Sequence, residues 1–174
     1  MQNKRQDFTF IELLIVIVVI FILSGMFMLA GRQAQAAAKA TKIVSGLAGV
    51  KTAVLTWYRE NMDKIKNDGT INGTKPDDYF KTTSFSDYLN AKDFAIGTSE
   101  GNYQVVSGKT SDGNPVWYVC YHLENKPDKK DIKARLADKA LAQPGHLLQN
   151  DSGSKWDEYS NGDDIYMEIL VFNY

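Results

Sequence analysis

Glu12 is the one charged side chain in the apolar run Phe8–Ala30. A carboxylate placed there costs at least a few kcal/mol unless it stays wet, is protonated or meets a partner. A second candidate is acidic. Asp151, Asp157, Glu158, Asp163 and Asp164 fall within fourteen positions, offset only by Lys155 and interleaved with Asn150, Ser152, Ser154, Ser160 and Asn161. Calcium takes six to eight hard oxygens from a flexible loop, and this segment has the oxygen density for it. Its spacing matches no EF-hand, so a solvated loop and a structural cation both stay open.

Other chemistry is thin. Cys120 is the single cysteine and His122 one of two histidines, which excludes a disulfide framework and a multi-thiolate zinc site. Two apart on a strand, the pair shares a face, yet two ligands do not make a zinc site. No recognised nucleophile motif surrounds Cys120, and a buried thiol is the plainer reading. Gly108-Lys109-Thr110 invites a phosphate loop, but Tyr103 stands where the first glycine belongs and no helix pattern follows. Asn72-Gly73-Thr74 and Asn150-Asp151-Ser152 fit the glycosylation acceptor pattern, which arises often by chance in polar loops. Twenty Lys+Arg against 21 Asp+Glu leave a formal charge of −1, so no global basic field exists to hold nucleic acid, and no nucleic-acid partner is expected.

The elements that must position these residues divide sharply. The 23 positions Phe8–Ala30 would make a helix of roughly 34 Å, enough for a hydrocarbon core of ~30 Å. Apolar on every face, the run suits a membrane anchor or a secretory signal better than a buried core helix. Beyond Gly31 the composition turns Ala-rich and polar. Ile43, Leu47, Val50, Val54, Trp57 or Tyr58, Met62 and Ile65 recur at three- and four-residue steps, one stripe of a helix that continues to Lys66 and stops at Asn67-Asp68-Gly69. Residues 67–92 read as an irregular loop with at most a short helix near Phe85–Leu89. Tyr103–Val106 and Val116–Leu123 read as strands joined by turn chemistry at Ser111–Asn114. Pro127 to Leu141 reads as a helix with Ile132, Leu136 and Leu141 inward, and Ile165–Phe172 as a terminal strand. The expected fold is α+β: a long N-terminal helix, half membrane-spanning and half amphipathic, on an antiparallel sheet of three or four strands. The boundaries are a basic leader 1–7, a transmembrane half 8–31, an amphipathic half 32–66, and a head 67–174 that forms one domain with 32–66.

Lys4-Arg5-Gln6-Asp7 followed by Phe8-Thr9-Phe10-Ile11-Glu12-Leu13-Leu14-Ile15-Val16 resembles the leader and N-terminal helix of type IV pilins and type II secretion pseudopilins. The match covers about residues 4–24 and includes order, spacing and the lone Glu. The resemblance implies that a prepilin peptidase cuts between Asp7 and Phe8 and methylates the Phe8 amine. It also implies that Glu12 pairs with that ammonium on a neighbouring subunit, an exchange that relieves the desolvation of both charges. Some pseudopilins carry calcium in a loop near the C-terminus, which favours a cation among Asp151–Asp164. Asp7 stands where the family has Gly, so slow processing is expected. Leu29 and Phe21 replace its usual Pro and Gly, which points to an atypical or minor member.

The expected function is structural: a non-enzymatic subunit of a type IV pilus or a secretion-like filament. Its implied partners are other subunits, the peptidase, the inner-membrane assembly platform, and membrane lipid before assembly. The head would sit outside the cytoplasm. Two further classes remain: a secreted binding protein cleaved after Ala36, where Ala34-Gln35-Ala36 has the A-x-A form, and a permanently anchored single-span sensor.

Overall fold

The computed structural model describes residues 9–82, 88, 99–110, 112–149 and 156–172. It has two compact units, Met1–Gln35 and Ala36–Tyr174. Helix α1, Phe10–Glu60, runs through both.

In the first unit α1 buries none of its described side chains. Phe10, Phe21 and Phe27 are 75–80% exposed, and Leu14, among the most shielded of the large apolar side chains, is still 44% exposed. An isolated apolar helix has no second face to turn to, because the apolar positions are continuous rather than periodic.

The second unit is α+β, as expected. Within it α1 buries Ala36, Ala40, Ile43, Leu47, Val50, Val54 and Trp57, a strict three- and four-residue alternation that keeps one stripe inward. The stripe starts seven residues before Ile43, because two alanines lie in it and alanine carries little apolar signal. It also ends sooner than expected. Asn61 Nδ2–H donates to the Trp57 carbonyl at 2.9 Å and the Asn61 N–H to the Tyr58 carbonyl at 3.2 Å, which satisfies carbonyls of the last turn. The chain then makes one 3₁₀ turn, Met62–Lys64. Met62, expected inward, is 56% exposed there, and Ile65 only packs against the margin of the core.

Helix α2, Pro76–Thr82, lies in the stretch expected to be irregular. Pro76 opens it and Asp77 and Asp78 fill its first turn, a favourable start. Its purpose is packing: Tyr79 and Phe80 set their rings 5.3 and 5.1 Å from Trp57. The short helix expected near Phe85–Leu89 lies, apart from Tyr88, outside the described residues.

The sheet has five antiparallel strands in the order β1-β2-β5-β3-β4, with β1 Tyr103–Lys109, β2 Pro115–His122, β3 Leu148–Gln149, β4 Asp157–Glu158 and β5 Asp164–Val171. β1 and β2 form the expected hairpin, in register from Tyr103↔Tyr121 to Lys109↔Pro115. β2 pairs with β5 from His122↔Asp164 to Val116↔Val171, with a bulge between Trp117 and Tyr118. Trp117, Val119, Ile165 and Met167 join the core that contains the α1 stripe. Both sheet edges are shielded: Asp77 Oδ1 accepts the Ser107 N–H of β1 at 2.7 Å, and β4 is two exposed acidic residues long.

Helix α3, Lys129–Ala142, buries Ile132, Leu136 and Ala140. Leu141, expected inward, is 73% exposed, because Ala140 is the residue one turn on from Leu136. Asp128, just before α3, forms an ion pair with Lys39 of α1.

One close approach fixes the seat of α1. A Cβ on Gly46 would lie 2.0 Å from the hydroxyl oxygen of Tyr103 and 2.3 Å from its Cζ. Only glycine lets β1 reach the helix there.

Candidate functional site

The first candidate is the start of α1. Thr9 precedes the helix, and its N–H and Oγ1–H both donate to Glu12 Oε2, at 2.8 and 2.7 Å. In return the Glu12 N–H donates to Thr9 Oγ1 at 3.3 Å. This is a capping box: Thr-x-x-Glu satisfies two first-turn donors with two side-chain oxygens. The carboxylate expected to need a distant partner therefore has a local one. The T-x-x-E spacing of such a cap is legible in the sequence. Asp7 and Phe8, the expected processing positions, lie outside the described residues.

The rest of the run shows why that end matters. α1 is long and apolar enough to cross a membrane, and among the described residues its most apolar stretch has no buried side chain.

The second candidate, the acidic segment, is dispersed. Asp151 lies outside the described residues. Asp157 and Glu158 are the two exposed residues of β4. Asp164 Oδ1 meets His122 Nδ1 across the β2–β5 ladder. Asp163 turns to α3, where Lys133 Nζ lies 2.5 Å and Lys129 Nζ 3.0 Å from its Oδ1. Hydrogen bonds from Lys133 and then Lys129 lower its carboxyl from the usual range to about 2. Among the described residues no three of His, Cys, Asp and Glu gather as a metal site would require.

The loop before β5 is held by other groups. Gln149 Oε1 accepts the N–H groups of Ser160, Asn161 and Gly162 at 3.0, 3.2 and 3.1 Å. Lys133 donates to the Asn161 carbonyl at 3.1 Å, and the Tyr159 hydroxyl to the Gly162 carbonyl at 2.9 Å. Neither Gln149 nor the two lysines stood out in the sequence, because all act across ten residues or more.

Cys120 and His122 share the sheet face away from α1, as their spacing required, but do not form a nucleophilic pair. His122 is flanked by acids: Asp164 at Nδ1, and Glu100 with Oε1 3.9 Å from Nε2. Cys120 is buried. Burial first, then the charge of Asp164, push its thiol up to about 12, against a smaller opposing hydrogen bond with Tyr166. A thiol held protonated is a poor nucleophile.

Gly108-Lys109-Thr110 forms the end of β1 and the start of its turn, not a phosphate loop. Gly108 is small because Tyr118 and Trp156 press on it: a Cβ would lie 2.9 and 3.1 Å from their rings. Beside it an open groove of about 860 Å³ is lined by Thr70, Lys75, Ser107, Lys109 and Trp156, among others. Trp156 is anchored on both sides, stacked on Tyr118 at 3.9 Å and donating Nε1–H to the Lys109 carbonyl at 3.0 Å.

The chain matches no protein-family model, no curated protein and no solved structure.

Proposed function

We propose that this protein is a structural subunit, a minor pilin or pseudopilin, of a bacterial type IV pilus or type II secretion-like filament, and that it performs no catalysis. One observation carries the reading: among the described residues the apolar side chains of α1 before Ala36 are all exposed, while the described core residues all belong to Ala36–Tyr174. A helix of that kind needs lipid or like helices around it. The leader-like Lys4–Asp7 and the Phe8…Glu12 spacing that follows support the filament over a plain anchor.

Before assembly the chain spans the inner membrane through Phe8–Ala30 with its head outside the cytoplasm. On assembly the apolar helix passes from lipid into a core of like helices, the Glu12 carboxylate meets the Phe8 ammonium of a neighbour, and the heads cover the filament. The peptidase that cuts at Phe8 and the inner-membrane platform are the other partners.

The mass of the mature chain tests this. Loss of residues 1–7 with methylation of Phe8, together with recovery of the chain in sheared surface filaments, is the expected result. Loss of 36 residues would make it a secreted binding protein. An uncut chain confined to the membrane fraction would make it a permanently anchored one.

A further inference from the structure

The groove of about 860 Å³ beside the last residues of β1 falls within the roughly 300–1,000 Å³ of small-molecule sites. Separate stretches of the head line it: Asp68 and Thr70, Lys75 just ahead of α2, Lys109 at the end of β1, and Trp156 with Tyr166 of β5. We propose that this groove binds an acidic saccharide, a short run of sugar rings bearing carboxylates, with Lys75 and Lys109 taking the charge and Trp156 the face of a ring. The site lies wholly within Ala36–Tyr174 and does not depend on the filament reading.

The charge argument is one of partners. Lys75 and Lys109 are exposed, and among the described residues neither forms an ion pair, whereas Lys39, Lys81, Lys126, Lys129 and Lys133 each do. Two uncompensated ammonium groups lining one groove favour an anion in it.

The aromatic argument is one of rigidity. The Trp156 ring stacks on Tyr118 at 3.9 Å, and its Nε1–H donates to the Lys109 carbonyl at 3.0 Å. Tyr166 meets it edge-on at 4.9 Å. With the indole N–H spent inside the fold, the ring offers the groove apolar surface, and little side-chain entropy is lost when a ligand covers it. The C–H face of a pyranose complements such a ring, because its hydrogens carry partial positive charge and meet the negative face of the indole.

Asp68 decides between a saccharide and a denser polyanion. Its Oδ1 accepts the Thr70 N–H and Oγ1–H at 2.9 and 2.6 Å. A carboxylate in the lining disfavours a run of phosphates yet accepts from hydroxyls, and two lysines are few for a nucleic-acid strand. Two cations, one anion and an aromatic wall fit a ligand with many hydroxyls and few charges.

The test uses the full chain in detergent micelles, with trigalacturonate, its fully methyl-esterified form and a thymidine oligonucleotide as probes. Trigalacturonate should move the nuclear magnetic resonances of the Trp156 indole N–H and of the Val106–Thr110 amides, and its own C–H resonances should shift upfield in the ring current of Trp156. Lys75→Gln combined with Lys109→Gln should keep the Tm and weaken binding roughly tenfold, the loss of two exposed charge pairs. The methyl ester should bind the unaltered chain about as weakly. An unmoved Trp156 resonance in millimolar trigalacturonate overturns the site. Undiminished binding by the ester or to the lysine variant overturns the role of charge, and the absence of an upfield shift overturns the stacking. An oligonucleotide that binds as tightly as trigalacturonate makes the groove a general polyanion site and overturns the saccharide.

Discussion

Asp163→Asn tests whether lysines rather than a cation hold the loop before β5. The carboxyl is lowered from 3.8 to about 2 by Lys133 and Lys129. Taken at face value, that lowering sets a ceiling of about 2 kcal/mol. The Asp163 side chain is 54% exposed, so solvent screening brings this toward the range of exposed ion pairs, about 1 kcal/mol. For a domain of this size that is a fall of roughly 3 °C in Tm. The sign follows from linkage: a carboxyl depressed on folding stabilises fully above its unfolded value near 3.9 and loses that stabilisation as pH falls toward about 2. The Tm difference between the protein and Asp163→Asn, measured by near-ultraviolet circular dichroism, should be full at pH 7, reduced at pH 3 and close to zero at pH 2. It should also shrink in 1 M salt. A difference that persists unchanged at pH 2 would refute the electrostatic reasoning. A rise of several degrees in millimolar calcium over chelator, abolished in Asp163→Asn, would mean that this carboxylate serves a cation instead.

Gly46→Ala should destabilise the head by about 1–2 kcal/mol in urea unfolding. Overpacking against Tyr103 costs about 1–3 kcal/mol and outweighs a gain of about 1 in helix propensity. Tyr103→Phe in the same chain should recover only part of this, because the ring carbon Cζ is also too close. Cys120 should resist thiol reagents at pH 8 and react at once in denaturant, since its thiol is raised to about 12 in the folded state. Asp7→Gly should increase the fraction of chain that begins at Phe8, read by mass spectrometry; equal processing of both would remove Asp7 as an obstacle. A fragment from Arg32 keeps Ala36 and the rest of the stripe and should melt cooperatively, whereas one from Leu55 loses Ile43, Leu47, Val50 and Val54 and should not fold.

Legibility followed the range of the interactions. The apolar run, β2, β5 and α3 announce themselves because each carries its own pattern over eight residues or more. Helix α2 does not, because its only apolar residues are Tyr79 and Phe80, and what makes it worth forming is Trp57 twenty residues earlier. Ala36 and Ala40 are buried yet invisible to a hydrophobic count. Strands β3 and β4 are two residues long and exist through their partners alone. The same holds for the candidate sites. The Thr9–Glu12 cap is local and could be read from spacing. The pairing of Asp163 with Lys129 and Lys133 joins a loop to a helix thirty residues away, and no local rule predicts it.

The contrast between the units bears on the assembly proposed above. In water the unburied apolar face of α1 would dominate the energetics, at about 25 cal/mol per Å². In a bilayer it does not, because lipid tails are as apolar as the side chains, and moving the helix from lipid to a bundle of like helices gains little by the hydrophobic effect. Van der Waals fit and the few polar groups must then supply the preference. Among the described residues nothing lies within 4 Å of a Cβ built on Gly25 or Gly31. Glu12 is the only charge in the run. If the run enters lipid as proposed, the hydrogen bonds from Thr9 lower the cost of carrying this carboxylate there.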